Sequence, residues 1–105
     1  MIGEALKGHL DLLLLAVLSE RPAHGYAVIE SLRQHSTGLF DLPEGTVYPA
    51  LHRLELMGLL SSTWQEDAPR RRRVYALTGK GKAAFAKRQA DWQEFSRAVN
   101  ATVGN

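Results

Sequence analysis

The chain contains no cysteine. That excludes a disulfide framework and any thiolate-ligated zinc site, and it agrees with a reducing compartment. Long apolar runs are missing too. The strongest, residues 12–18, is bounded by Asp11 and Ser19-Glu20 and falls far short of the roughly 20 residues a membrane-spanning helix needs. It reads instead as the buried face of a helix. The opening Met1-Ile2-Gly3-Glu4-Ala5-Leu6-Lys7 has no basic stretch leading into an apolar one. No leader and no membrane partner are therefore expected, and the expected location is cytoplasmic.

Catalytic and metal-binding signatures are also lacking. Ser61, Ser62 and Thr63 fall in a strand-like segment without the Gly-x-Ser-x-Gly of a nucleophile turn. Gly79-Lys80-Gly81-Lys82 shares only composition with a phosphate-cradling loop, not its spacing. His9, His24, His35 and His52 are scattered over different helices, with no ligand spacing among them. Neither an enzyme, a metal nor a cofactor is expected.

Acidic residues are absent from one interval. Between Ala68 and Ala90 lie eight of the 13 basic residues (Arg70, Arg71, Arg72, Arg73, Lys80, Lys82, Lys87 and Arg88) and no acid, whereas nine of the 11 acids precede it. On a chain with a formal net charge of only +2, a one-signed segment suggests either a localised anionic partner or a solvated basic loop.

A composition 45% hydrophobic over 105 residues suits one globular domain. Apolar residues at 6, 10, 13, 14, 17 and 18 follow a helical i, i+3, i+4 stripe that Arg21-Pro22 ends. A second helix is expected over 24–35, with Tyr26, Ile29 and Leu32 on one face and Gly38 beyond it as a left-handed stop. A third carries Val47, Ala50, Leu51 and Leu54, with Thr46 expected as N-cap so that Pro49 falls in the first turn, and Gly58 ending it. The period then changes: Leu60, Ser62 and Trp64 alternate with Ser61, Thr63 and Gln65. After a turn at Asp67-Ala68-Pro69 a second run occupies 71–77, the pattern of a β-hairpin. Thr78 is a good N-cap for a last helix reaching about Val103, with Phe85, Trp92, Phe95, Val99 and Val103 on one face.

Helix, helix, helix, hairpin, long helix is the order of a mostly α winged helix-turn-helix with an added C-terminal helix. The division expected is 1–78 for the DNA-binding part and 79–105 for a dimerisation helix. The stretch Gly45-Thr46-Val47-Tyr48-Pro49-Ala50-Leu51-His52-Arg53-Leu54-Glu55 resembles the central motif of PadR-like transcriptional regulators. Residues 13–18, His24-Gly25-Tyr26, Gly58-Leu59-Leu60, Arg73-Val74-Tyr75-Ala76-Leu77-Thr78 and Gly81 resemble other segments of that family, in the same order. Two features depart from it: Val74 stands where many members carry an aromatic, and one C-terminal helix resembles the smaller subfamily. The resemblance implies a homodimeric repressor that binds a palindromic operator through the third helix and the wing, dimerises through the last helix, and is released by a small molecule.

Residue by residue, the outward face of the third helix is expected to present Thr46, Tyr48, Pro49, His52 and Arg53 to double-stranded DNA, Arg53 being able to grip guanine O6 and N7 together. Arg70, Arg71, Arg72 and Arg73 are expected at phosphate, although strand alternation prevents all four from making the same contact. His24 and Tyr26 open the second helix, where they either meet a phosphate or cap and pack. Phe85, Trp92 and Val99 recur every seven residues with Phe95 beside them, which suits a dimer seam. Some small PadR-like regulators hold planar aromatic or drug-like ligands against a tryptophan of this helix, so Trp92 has either role. The competing functional reading is a winged-helix module that binds an acidic protein partner through its basic face.

Overall fold

The computed structural model describes residues 2–66 and 71–104, with the side chains of 2 and 3 left out. Among the described residues, five helices and a three-stranded antiparallel sheet form a winged helix-turn-helix with an added C-terminal helix. The turn expected at Asp67-Ala68-Pro69, and Arg70 after it, lie outside the described residues.

The apolar stripe that predicts one N-terminal helix is carried by two, α1 (Ile2–Lys7) and α2 (Leu10–Glu20). The His9 N–H donates to Leu6 O at 2.9 Å and closes a turn; the Leu13 N–H then starts a new ladder on His9 O at 3.1 Å. Gly8, which costs helix interior about 1 kcal/mol against alanine, marks the break, while the apolar spacing runs through it undisturbed. Leu14, Leu15 and Leu18 of α2 are buried. Arg21 ends α2 in an extended conformation (φ −170°, ψ 158°), as a residue before proline must.

A two-residue strand follows, β1 (Ala23–His24), which the sequence does not signal. His24 then caps α3 (Gly25–His35), its Nδ1 accepting from the Ala27 N–H at 3.3 Å. Thr37 and Gly38 leave α3 with φ of 50° and 89°, the left-handed exit that Gly38 supplies without steric cost.

Helix α4 (Glu44–Leu56) begins earlier than expected. Pro43 is the N-cap, not Thr46, and its carbonyl accepts from the Thr46 and Val47 N–H groups at 3.0 and 3.2 Å. Pro49 therefore sits inside the helix, and the carbonyl four residues back, on exposed Gly45, receives no helical hydrogen bond there. Val47, Ala50, Leu51 and Leu54 are buried against α2 and α3, and Gly58 (φ 81°) ends the helix.

The wing comprises β2 (Leu60–Gln65) and β3 (Arg72–Leu77), paired from Leu60↔Leu77 to Gln65↔Arg72. Strand β1 adds to the other edge of β3 through Ala23↔Tyr75 and His24↔Val74, giving the order β1-β3-β2. That pairing ties the start of α3 to the wing. Thr78 caps α5 (Gly79–Val103), its hydroxyl accepting from the Gly81 N–H at 3.0 Å while donating to Gly58 O at 2.7 Å. The first part of α5 lies on the domain, with Ala84 and Phe85 against the common core. The rest extends away from it, and the molecule measures 52 × 29 × 20 Å.

Candidate nucleic-acid interface

Buried positions on α4 define its opposite side, where Gly45, Pro49, His52 and Leu56 are exposed. Thr46 and Tyr48 are half-buried at its flanks. Arg53 is turned toward α2: its Nη2 and Nη1 reach the two carboxylate oxygens of Asp11 at 2.6 and 3.1 Å. Such a bidentate pair uses the same donor fork that would grip a guanine.

Tyr48 leans the other way, over the start of α3. A Cβ on Gly25 would collide with the Tyr48 ring, so the glycine is what admits the tyrosine. Burial and the nearby Glu44 carboxylate push the Tyr48 hydroxyl above its ordinary pKa, against the effect of a hydrogen bond from the Tyr26 backbone. The Tyr26 ring meets Tyr48 edge-on at 6.5 Å, and its hydroxyl donates to Glu44 at 2.8 Å. Two segments that the sequence treats as separate motifs, 24–26 and 45–55, are thus one packed unit.

The register of β3 separates its arginines by face. Arg72 shares a face with Val74 and His24, and its Nη1 lies 3.1 Å from His24 Nε2. A neutral imidazole has one acceptor nitrogen, so His24 accepts from the Ala27 amide or from Arg72 but not from both. Partial burial and the Arg72 charge hold His24 below its ordinary pKa of 6.5. Arg71 and Arg73 share the other face with Trp64, their guanidinium carbons 4.2 and 5.0 Å from its ring centroid. Arg71 Nε also donates to Glu66 at 3.0 Å, an exposed pair. Arg73 Nε donates to Ser62 Oγ at 2.7 Å, and that hydroxyl donates to Glu55 of α4 at 2.6 Å.

A groove of about 430 Å³ runs between wing and helices, lined by His24, Gly25, Tyr26, Tyr48, Trp64, Arg71, Arg72, Arg73 and Tyr75. The structure therefore gathers His24, Tyr26, Tyr48 and three of the four wing arginines. Pro49 and His52 stand on the exposed ridge of α4, and Arg53 is on its far side. Trp64, Glu55 and Asp11 were not singled out from the sequence. Their signal is cross-strand register and inter-helix packing, which local periodicity does not contain.

On α5, Phe85 is half-buried in the domain, whereas Trp92, Phe95 and Val99 are 40%, 58% and 39% exposed. Trp92 meets His9 edge-on at 4.9 Å and Phe95 at 6.2 Å. Beside it an apolar cavity of about 290 Å³ is lined by Ala5, Leu6, His9, Leu12, Leu13, Phe40 and Trp92. Among the described residues no group of three or more His, Cys, Asp or Glu could hold a metal, and no helix is long and apolar enough to cross a membrane.

An exposed helix ridge beside a basic hairpin, on a three-helix core, defines a winged helix-turn-helix regulator. The chain belongs to the PadR-like family of transcriptional regulators, whose family model matches residues 14–87. It is similar to the transcriptional regulator Rv3488 of Mycobacterium tuberculosis (strain ATCC 25618 / H37Rv), with 35% identity over 91 residues covering 83% of this chain and 82% of that one. Among solved structures it resembles a PadR family transcriptional regulator from Eggerthella lenta DSM 2243, with a TM-score of 0.86, 32% identity, and coverage of 100% of this chain and 90% of the other. It also resembles a transcriptional regulator from Clostridium thermocellum, with a TM-score of 0.85, 26% identity and 93% of each chain covered.

Proposed function

We propose that this regulator is a cytoplasmic repressor that binds a palindromic operator as a homodimer and is released by a planar aromatic or drug-like effector. The observation that carries the DNA-binding surface is the groove joining α3, α4 and the wing, where His24, Tyr26 and Tyr48 come together with Arg71, Arg72 and Arg73, while Pro49 and His52 are exposed on α4. The ridge enters the major groove, with His52 its central hydrogen-bonding side chain and Thr46 at its flank. Arg70, Arg71 and Arg72 meet phosphate or the adjacent minor groove. His24, Tyr26 and Tyr48 shape the groove floor near the start of α3, a position suited to a backbone phosphate.

Dimerisation is supported by α5, whose distal half leaves Trp92, Phe95, Val99 and Val103 exposed along one face. In functional terms the chain divides into 1–78, which holds the DNA, and 79–105, which pairs the copies. Two copies related by a two-fold axis would set their α4 helices for half-sites about 34 Å apart. The apolar cavity beside Trp92 supports the effector: a ligand seated there would bear on α1, α2 and α5 together and alter that spacing.

Selection of genomic fragments by the purified protein, against excess random duplex, tests the reading. Enrichment of one inverted repeat is the expected result. Equal retention of all fragments would remove the operator from the function, and retention of none would remove DNA.

A further inference from the structure

Trp64 occupies an unusual position for a large apolar side chain. It is 49% exposed, it lines the groove beside the wing, and the guanidinium groups of Arg71, just before β3, and Arg73, within it, lie over its ring. These two arginines differ in what else they hold. Arg73 is committed to the protein: Nε to Ser62 at 2.7 Å, Nη2 to within 3.8 Å of Glu55, and Ser62 in turn to Glu55. Glu55 belongs to α4, so Arg73 braces the wing against that helix. Among the described residues Arg71 holds, besides the indole, the exposed Glu66 pair, and a pair of that kind is screened and weak.

We infer that Trp64 is a positioning residue for DNA binding, a shelf fixed by the Glu55–Ser62–Arg73 brace on which Arg71 is held ready for phosphate. The inference rests on the DNA-binding reading and deepens it by assigning the wing arginines separate tasks. A guanidinium lying on an aromatic face keeps its in-plane N–H donors available, so stacking and phosphate contact do not compete. Stacking also removes side-chain freedom before DNA arrives, freedom that would otherwise be lost on binding. Arg73 then acts through Trp64 and α4 rather than on the DNA itself.

Binding of a labelled random-sequence duplex, followed by fluorescence anisotropy at several salt concentrations, tests this with Trp64→Leu, Arg71→Lys and their combination. Arg71→Lys keeps the charge and loses the planar stack. Each single change is expected to weaken binding about 2- to 5-fold per wing at unchanged net charge. The combination is expected to be no weaker than either alone, because both remove one interaction. Trp64→Phe, a weaker π face, is expected between wild type and Trp64→Leu. Thermal melting and the ring-current shift of the Arg71 Hε resonance in the free protein report the fold and the stack independently of DNA. Should Trp64→Leu not fold, Arg71→Lys on the surface carries the test. Wild-type affinity in Arg71→Lys, or additive losses in the combination, overturns the inference alone. A wild-type protein with intact Hε shifts and no affinity for any duplex overturns the DNA-binding reading, and this inference with it.

Discussion

Gly25 and Gly81 are both buried, and a side chain at either meets an obstacle of a different kind. At Gly81 a Cβ would strike the backbone carbonyl of Leu59, which is held in place by the Thr78 N–H at 3.1 Å and cannot step aside. At Gly25 it would strike the far end of the Tyr48 side chain, which can swing away. Gly81→Ala is therefore expected to cost about 2 kcal/mol or more of stability, measured by urea denaturation. Gly25→Ala should melt near the wild-type temperature but displace Tyr48 from the groove, seen as a changed Tyr48 ring environment by NMR and weaker DNA binding. Equal destabilisation by the two would show that the Tyr48 ring is as immovable as backbone.

At the scale of elements, α4 contains a proline where a helix gains nothing from one. Interior proline costs about 3 kcal/mol relative to alanine, through a lost hydrogen bond and ring crowding. The exposed, side-chain-free Gly45 lessens the crowding but leaves its carbonyl without a helical donor. Pro49→Ala should restore that bond and stabilise the protein by about 1–3 kcal/mol, measured as a higher denaturation midpoint at constant slope. An unchanged midpoint would mean that the local geometry already compensates.

The elements themselves were largely legible in the sequence. The caps at His24 and Thr78, the stops at Pro22, Gly38 and Gly58, and the change of period after residue 60 all depend on local chemistry, and local chemistry is written along the chain. What escaped leaves no mark in that local pattern. The start of α4 turns on a Pro43 carbonyl rather than a capping side chain, β1 exists only because β3 is beside it, and the Gly8 break leaves the apolar spacing intact. The interface divides in the same way. Its residue types and approximate address were visible, including Tyr48 and the arginines, but the pairing of Arg53 with Asp11 and the stacking of arginines on Trp64 join residues 42 and seven to nine positions apart.

For the whole molecule, α5 is the feature that the domain does not explain. Its 25 residues extend about 37 Å, and although Trp92 at its middle meets His9, Phe95, Val99 and Val103 stay exposed. Leaving an indole, a phenyl and two valines half-exposed on one face is costly unless a second copy covers them. Phe95→Glu with Val99→Glu should give a folded monomer by light scattering and reduce operator affinity, since one recognition helix then acts alone. A dimer that survives both charges would place the interface elsewhere.

Asp11 joins these scales. Its carboxylate, with 18% of the side chain exposed, serves Arg53 of α4 at 2.6 Å and Arg88 of α5 at 3.9 Å. One carboxylate cannot give both guanidinium groups their best geometry, and at present α4 has the better share. A tilt of α5 that carried Arg88 inward would loosen Arg53 and swing a positive charge toward the α4 ridge. One carboxylate of α2 is thus the point at which a helix of the DNA-facing part and the C-terminal helix meet the same charge.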